Sequence, residues 1–388
     1  MNKLSVAVLL SGREQFSVFY GGALARWTYE VYSRLQESVD ACVFGFPTDP
    51  ATAYPLQYET SAWWRASDLV SRIPGLRRYE DRLWLQALMP RLRHFAVIHI
   101  HNRPQWARLL REMGYRGLLI VHLQNDHLGH WTEPMLNDLA PEIDGLIVCS
   151  RYLEAQSAAK SAKLAQKTRV IFNGVNTRLF FPSEKLRQPK AIFFVGSFIP
   201  EKGALQLIQA FERVLQRHPD ASLVIGGSTS FGRHEETEYV RSVRHLAKRL
   251  QDEKNAAISF PGYIHHDDDL PAFFQRAALF TSPSLFQEPF GLVNAEAMAC
   301  ATPVVGSRRG GIPEVVGDTG RLIDPEDIAQ YADALTELLS DSEGRWRMGR
   351  AAMERARTLF DWNVIARTWK AYLEEVTSGK PETSTAAG

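Results

Sequence analysis

Cysteine is scarce in this sequence: Cys42, Cys149 and Cys300 are the only three among 388 residues, and none stands in CxxC spacing. That excludes a disulfide-built scaffold and a cysteine zinc site, and thiols within apolar stretches are expected to be buried and reduced, as in a cytoplasmic protein. Charge of one sign is lacking too. With 45 basic against 44 acidic residues, no global field draws nucleic acid, and an anionic ligand must meet local charge. No run reaches the roughly 18 to 20 apolar residues that a membrane-spanning helix needs. The opening MNKLSVAVLLSG has no small-residue cleavage site behind it, so it reads as a first β-strand and not as a secretory leader. Low complexity is confined to the tail SGKPETSTAAG, whose small polar residues predict disorder over 378–388.

What the chain does have is a repeated alternation. The runs VAVLL, ACVFGF, AVIHIH, GLLIVHL and DGLIVCS are separated by stretches of helical period, including one over 22–35. Short Val/Ile/Leu runs spaced by helices are the mark of βαβ units and a parallel sheet. After Val170-Ile171-Phe172 comes NGVNTRLFFPSEKLRQPK, a charged, turn-rich linker, and then a second series: AIFFVG, SLVIGG, AISFPG, LFTSPS and PVVG, with helices over 204–217 and 235–250. The expected architecture is α/β, with two doubly wound Rossmann-like domains at 1–175 and 190–358. A linker over 176–189 joins them, and a helix over 359–377 is expected to cross back to the first domain. Such sheets take their ligands at the carboxyl ends of their strands, so a cleft between the two sets of strand ends is the expected site.

The densest motif is EPFGLVNAE, which places Glu288 and Glu296 eight positions apart across a strand-to-helix junction. Read as helix, eight residues rise about 12 Å, whereas a retaining glycosidase holds its two carboxyls roughly 5 Å apart. The pair cannot flank one bond. It can grip two parts of a long ligand, with the helix opened near Gly291 offering free N–H groups to a diphosphate between them.

EPFGLVNAEAMA, followed by TPVV, GGIPEVV and TGRLIDPED, resembles the C-terminal signature of the family-4 retaining glycosyltransferases of GT-B fold, the glycosyl transferases of group 1. The resemblance implies a sugar donor activated as a nucleotide diphosphate, with Glu288 on the sugar, Glu296 on the ribose and the main chain of Phe290, Gly291 and Leu292 on sugar and phosphate. FVGSFIPEKG resembles the family's strand-GR-loop-KG element. Lys202 fits the diphosphate-binding Lys, while Ser197 stands where Arg is usual, which removes one charge-assisted contact worth about 1.5 to 3 kcal/mol. The resemblance also places Gly22, of Tyr20-Gly21-Gly22-Ala23, against the donor phosphates and the backbone near Tyr263 against the nucleobase. It implies retention of configuration and no metal or other cofactor. The same grip would serve a nucleotide-sugar epimerase, a phosphorylase, or a non-catalytic sugar-nucleotide-binding or coat protein.

His99, His101, His122, His127 and His130 crowd HIHNRPQW and VHLQNDHLGHW without carboxylates at ligand spacing, so no metal is expected. The family's reacting-sugar His falls by register on Gln124, with His122 two residues before it and His127 three after. HNRPQ and QNDHL add a weaker resemblance to a bacterial spore-coat-type branch. Asp267-Asp268-Asp269 is read as a helix cap. Trp63, Trp64 and Trp84 among Arg65, Arg72, Arg77, Arg78, Arg82, Arg91 and Arg93 form a basic, aromatic segment over 60–94. It fits either solvated helix faces or acceptor and peripheral inner-membrane contact. The acceptor itself is expected to be a glycan, a glycolipid or a small glycoside.

Overall fold

The computed structural model describes residues 3–10, 14–60, 79–228 and 236–379. The chain forms two compact units, Met1–Phe172 with Asn363–Gly388, and Asn173–Trp362.

The first unit is built on β1 (Leu4–Leu9), β2 (Val39–Gly45), β3 (Gln57–Thr60), β4 (Val97–His101), β5 (Leu118–Leu123), β6 (Gly145–Val148) and β7 (Thr168–Val170). Their order is β3-β2-β1-β4-β5-β6-β7, and every pairing is parallel. β4, β5 and β6 are buried at every position, as strands covered on both faces must be. The helix Trp362–Ser378 covers part of this unit: Trp369 is fully buried, edge-on to Trp27 at 5.5 Å between ring centroids. Tyr372 sits so close to Gly145 that a Cβ there would lie 1.6 Å from its hydroxyl, which is why β6 begins with glycine.

The second unit repeats the plan with β8 (Ala191–Val195), β9 (Ser222–Gly226), β10 (Ala257–Gly262), β11 (Leu279–Ser282), β12 (Val304–Ser307) and β13 (Arg321–Ile323). Their order is β10-β9-β8-β11-β12-β13, again all parallel. The order reverses between β1 and β4 in one sheet and between β8 and β11 in the other. Those reversals are where such sheets leave a crevice for a ligand.

Helix bounds depart from the periodicity in places. The helix expected over 235–250 runs Glu238–Lys254, because Thr237 Oγ1 accepts from the Val240 amide at 3.2 Å to start it and Asn255, at φ +51°, ends it. The helices expected over 22–35 and 204–217 are shorter, Ala23–Tyr32 and Ala204–Val214. All three cysteines are buried free thiols, as their setting predicts. Residues 380–388 of the predicted disordered tail lie outside the described residues.

Candidate sugar-nucleotide site in the second unit

Two loops meet at the β8/β11 reversal. After β8 the chain makes a turn over Pro200–Lys202 and enters the helix Ala204–Val214 through Gly203, at φ +73°. A Cβ on Gly203 would lie 2.1 Å from the Pro283 carbonyl, so only glycine lets the loop after β8 pack on the loop after β11. The Leu285 amide donates to the Glu201 carbonyl at 2.7 Å and locks the two together. Lys202 is thereby aimed across the junction. Its Nζ donates to Glu288 Oε1 at 2.8 Å and lies 5.0 Å from the Phe286 ring centre. Ser284 Oγ donates to the other oxygen, Oε2, at 2.6 Å, so both Glu288 oxygens are engaged. The backbone of Glu288 is held as well, its carbonyl accepting from the Gly311 amide at 2.7 Å.

The helix after Glu288 is shorter than the sequence suggests. It spans Leu292–Ala299, with Gly291 at φ +84° as its N-cap, so Glu288–Gly291 is not helical and the rise of eight helical residues does not separate the glutamates. Asn294 fixes the junction: its Nδ2 donates to the Gly291 carbonyl at 3.1 Å, and its Oδ1 accepts from Ser282 Oγ at 2.6 Å. The Phe290 side chain is buried, edge-on to Phe360.

Glu296 is almost fully buried, at 2% exposure. Its Oε1 meets His266 Nε2 at 2.6 Å, and His266 Nδ1 meets Asp267 Oδ1 at 2.6 Å. Its Oε2 is buried and has no hydrogen-bond partner. This corrects the reading of the aspartates: Asp267 bonds His266, and Asp269 occupies the N-cap position of Leu270–Arg276 without a side-chain cap bond. Sequence reasoning missed His266. The signal available was a pair of histidines just ahead of three acids, close behind the strand AISFPG.

Of the other residues singled out, Ser197 is exposed, and Tyr263 is half-buried after Gly262, at φ +81°. Arg309 donates to the Leu285 carbonyl and pairs with Asp324 and Glu326, while Arg308 donates to the Leu322 carbonyl at 3.2 Å.

In the first unit, Gly22 is the N-cap of Ala23–Tyr32, where the Glu14 carboxylate accepts from the Ala25 amide at 2.8 Å. Burial pushes the Glu14 carboxyl up to about 7 against the opposing pull of the helix amides. His99 and His101 on β4 and His122 on β5 stand together, their ligand nitrogens within 4.8 Å of one another. All three are fully buried. Tyr32 OH meets His99 Nδ1 at 2.9 Å, Thr28 Oγ1 meets His101 Nε2 at 3.1 Å, and His99 Nε2 meets His122 Nδ1 at 3.3 Å. Burial pushes His101 down to about 3 and holds His99 and His122 well below the usual imidazole range. Gln124 is different: its side-chain Nε2 and Oε1 are both buried without a partner, while its backbone N–H donates to Asn102 Oδ1 at 2.8 Å. His127 is half-buried and lowered by burial, while His130 is exposed.

Trp63, Trp64, Arg65, Arg72, Arg77 and Arg78 lie outside the described residues. In the described remainder of that segment, Trp84 is buried against Trp106, Arg82 pairs with Glu112 and Arg91 pairs with Glu59. No helix among the described residues is long and apolar enough to cross a membrane.

Residues 175–355 match the family profile of glycosyl transferases group 1. The chain is 27% identical over 325 residues to spore coat protein SA of Bacillus subtilis, covering 77% of this chain and 82% of that protein. It is 37% identical over 196 residues to a D-inositol 3-phosphate glycosyltransferase of Corynebacterium efficiens, covering 49% and 44%. In three dimensions it resembles Anabaena HepE, crystallised in complex with UDP-glucose, with a TM-score of 0.72 at 21% identity over 96% of this chain and 100% of that one. That likeness shows the GT-B fold.

Proposed function

We propose that this chain, which belongs to the glycosyl transferases group 1, moves a sugar from a nucleotide-diphosphate donor to an acceptor hydroxyl, with retention at the anomeric carbon and without a metal. The observation that carries the reading is the Lys202–Glu288 pair at the β8/β11 reversal, with Glu296 buried nearby in sequence and one of its oxygens unpartnered.

In this reading Glu296 accepts from the ribose, Lys202 and the main chain of Gly291 and Leu292 meet the diphosphate, and Glu288 accepts from the sugar. The backbone beside Tyr263 meets the base. The resemblance adds Gly22 to the phosphate contacts, at a helix start whose Ala25 amide is held by Glu14. As the glycosidic bond breaks, charge grows on the leaving diphosphate, and a lysine fixed in place stabilises that charge without reorganising. Glu288 is held on both oxygens, which suits a binding group and not an attacking one. No protein nucleophile is therefore invoked: the acceptor hydroxyl attacks on the face the diphosphate leaves from, and the diphosphate takes its proton. Of the strand-end residues offered for the reacting sugar, Gln124 has an unsatisfied amide to give, whereas His122 is enclosed among Trp27, His99 and His101.

The acceptor is a hydroxyl of a glycan, a glycolipid or a small glycoside, and UDP-glucose is the first donor to test because HepE was crystallised with it. A screen of UDP-, GDP- and ADP-sugars, followed by NMR of the anomeric proton in the product, tests the proposal. An inverted product refutes retention. Loss of turnover in EDTA that Mg²⁺ or Mn²⁺ restores refutes the metal-free mechanism.

A further inference from the structure

Glu296 has two oxygens in different circumstances. Oε1 is bonded to His266 at 2.6 Å, while Oε2 is buried with no partner, an arrangement costly enough that such atoms call for an explanation. A carboxylate hidden to 2% exposure and anchored by one oxygen has its other oxygen aimed by the anchor.

His266 is suited to be that anchor. Its ring is bonded at both nitrogens to carboxylate oxygens, Asp267 on one side and Glu296 on the other, each at 2.6 Å. An ionised carboxylate only accepts, so the contact to Glu296 Oε1 takes its hydrogen from Nε2 of this ring. The ring cannot turn freely: Phe180, itself buried, packs edge-on against it at 5.2 Å. Asp267 fixes the ring, the ring fixes Glu296 Oε1, and Oε2 is left as an acceptor of set direction.

We infer that His266 is a positioning residue which, held by Asp267 and Phe180, orients Glu296 so that its unpartnered oxygen accepts from the vicinal hydroxyls of the donor's ribose. The inference rests on the proposed ribose role of Glu296. It assigns to His266 the protein's preference for a ribonucleotide over a nucleotide lacking those hydroxyls, and it leaves the contacts to base and diphosphate untouched.

The test compares binding of UDP and 2′,3′-dideoxy-UDP by calorimetry, with the GDP or ADP pair used instead if one of those binds the wild type more tightly. Wild type should favour the ribose form by about tenfold or more, the size of a hydrogen bond to a charged group. His266→Phe keeps a ring beside Phe180 but has no donor. It should weaken the ribose form until the preference falls to about threefold or less, with dideoxy binding unchanged. His266→Gln keeps one donor and should restore part of the preference, and it also serves if the Phe variant fails to fold. A folded Phe variant with wild-type preference, or one that loses both ligands equally, overturns the role of His266 while leaving the ribose reading intact. A wild type that binds both ligands equally overturns the ribose reading of Glu296, and this inference with it.

Discussion

Acidification should act on the first unit through its three enclosed imidazoles. Above the ordinary imidazole value of 6.5, folded and unfolded chains both hold His99, His101 and His122 neutral, and the cluster has no proton-linked cost. Below it the unfolded chain takes up protons that the folded chain refuses, so stability present above 6.5 is lost as pH falls, for His101 down to about 3. Between about pH 7.5 and about pH 5.5 each such histidine loses about 1.4 kcal/mol, and three lose about 4 kcal/mol. Glu14 works the other way. Its folded carboxyl, raised to about 7, takes up a proton over the same interval while the unfolded one does not, which returns about 2 kcal/mol. The net loss is about 2 kcal/mol in wild type and about 4 kcal/mol in Glu14→Gln, out of a typical domain stability of roughly 5 to 15 kcal/mol. Urea unfolding followed by circular dichroism at the two pH values, on both proteins, measures this. A Glu14→Gln protein that loses less than about 1 kcal/mol refutes the account of the cluster as neutral buried imidazoles, and one that loses no more than wild type refutes the raised Glu14 carboxyl.

Three further outcomes concern the second unit. Glu288→Ala should abolish transfer while keeping nucleoside-diphosphate affinity within about threefold by calorimetry, since Glu288 is assigned to the sugar; loss of nucleotide binding in a folded variant would show the assignment to be wrong. Ser197→Arg should tighten diphosphate binding several-fold, by about 1 kcal/mol, because Ser197 is exposed and both Arg308 and Arg309 are engaged elsewhere; unchanged or weaker binding means another cation already does the work. Gly310→Ala would place a Cβ 2.1 Å from the Glu288 carbonyl at a residue with φ +62°. It should cost about 1 to 3 kcal/mol and lower kcat together with the melting temperature, whereas wild-type melting and turnover would contradict the packing described.

The central strands were readable because a strand covered on both faces must be largely apolar: VAVLL and AIFFVG are so throughout, and GLLIVHL is interrupted by His122 alone. The edge strand β3, QYET, carries no such run, and β7 and β13 are three residues each; such strands are specified by their neighbours more than by themselves. At the site, Lys202, Glu288, Gly291 and Glu296 stood out because their motifs are local, a turn and a helix start within a few residues. His266 and Glu14 did not, because Glu296 lies 30 positions from the one and the Ala25 amide 11 from the other, and the acids that follow His266 read equally well as a helix cap. The histidines of VIHIH show the same limit. Polar residues at alternate positions of an apolar strand signal one unusual face, but their partners Thr28 and Tyr32 lie 73 and 67 positions away, and Trp369 lies farther still.

The placement of the helix Trp362–Ser378 has a consequence for biosynthesis. A ribosome releases the chain from the amino end, yet the first unit is completed by residues that follow the whole of Asn173–Trp362. At roughly 5 to 20 residues per second, that intervening stretch takes about 10 to 40 s to emerge. During that time the nascent sheet lacks Trp369 over His99 and Tyr372 over Gly145. The second unit, contiguous in sequence, can finish first although it is made later. A chain that stops short of Asn363 would therefore leave its earliest-made half as the unfinished one, with that part of its surface open to chaperones and proteases until the last helix arrives.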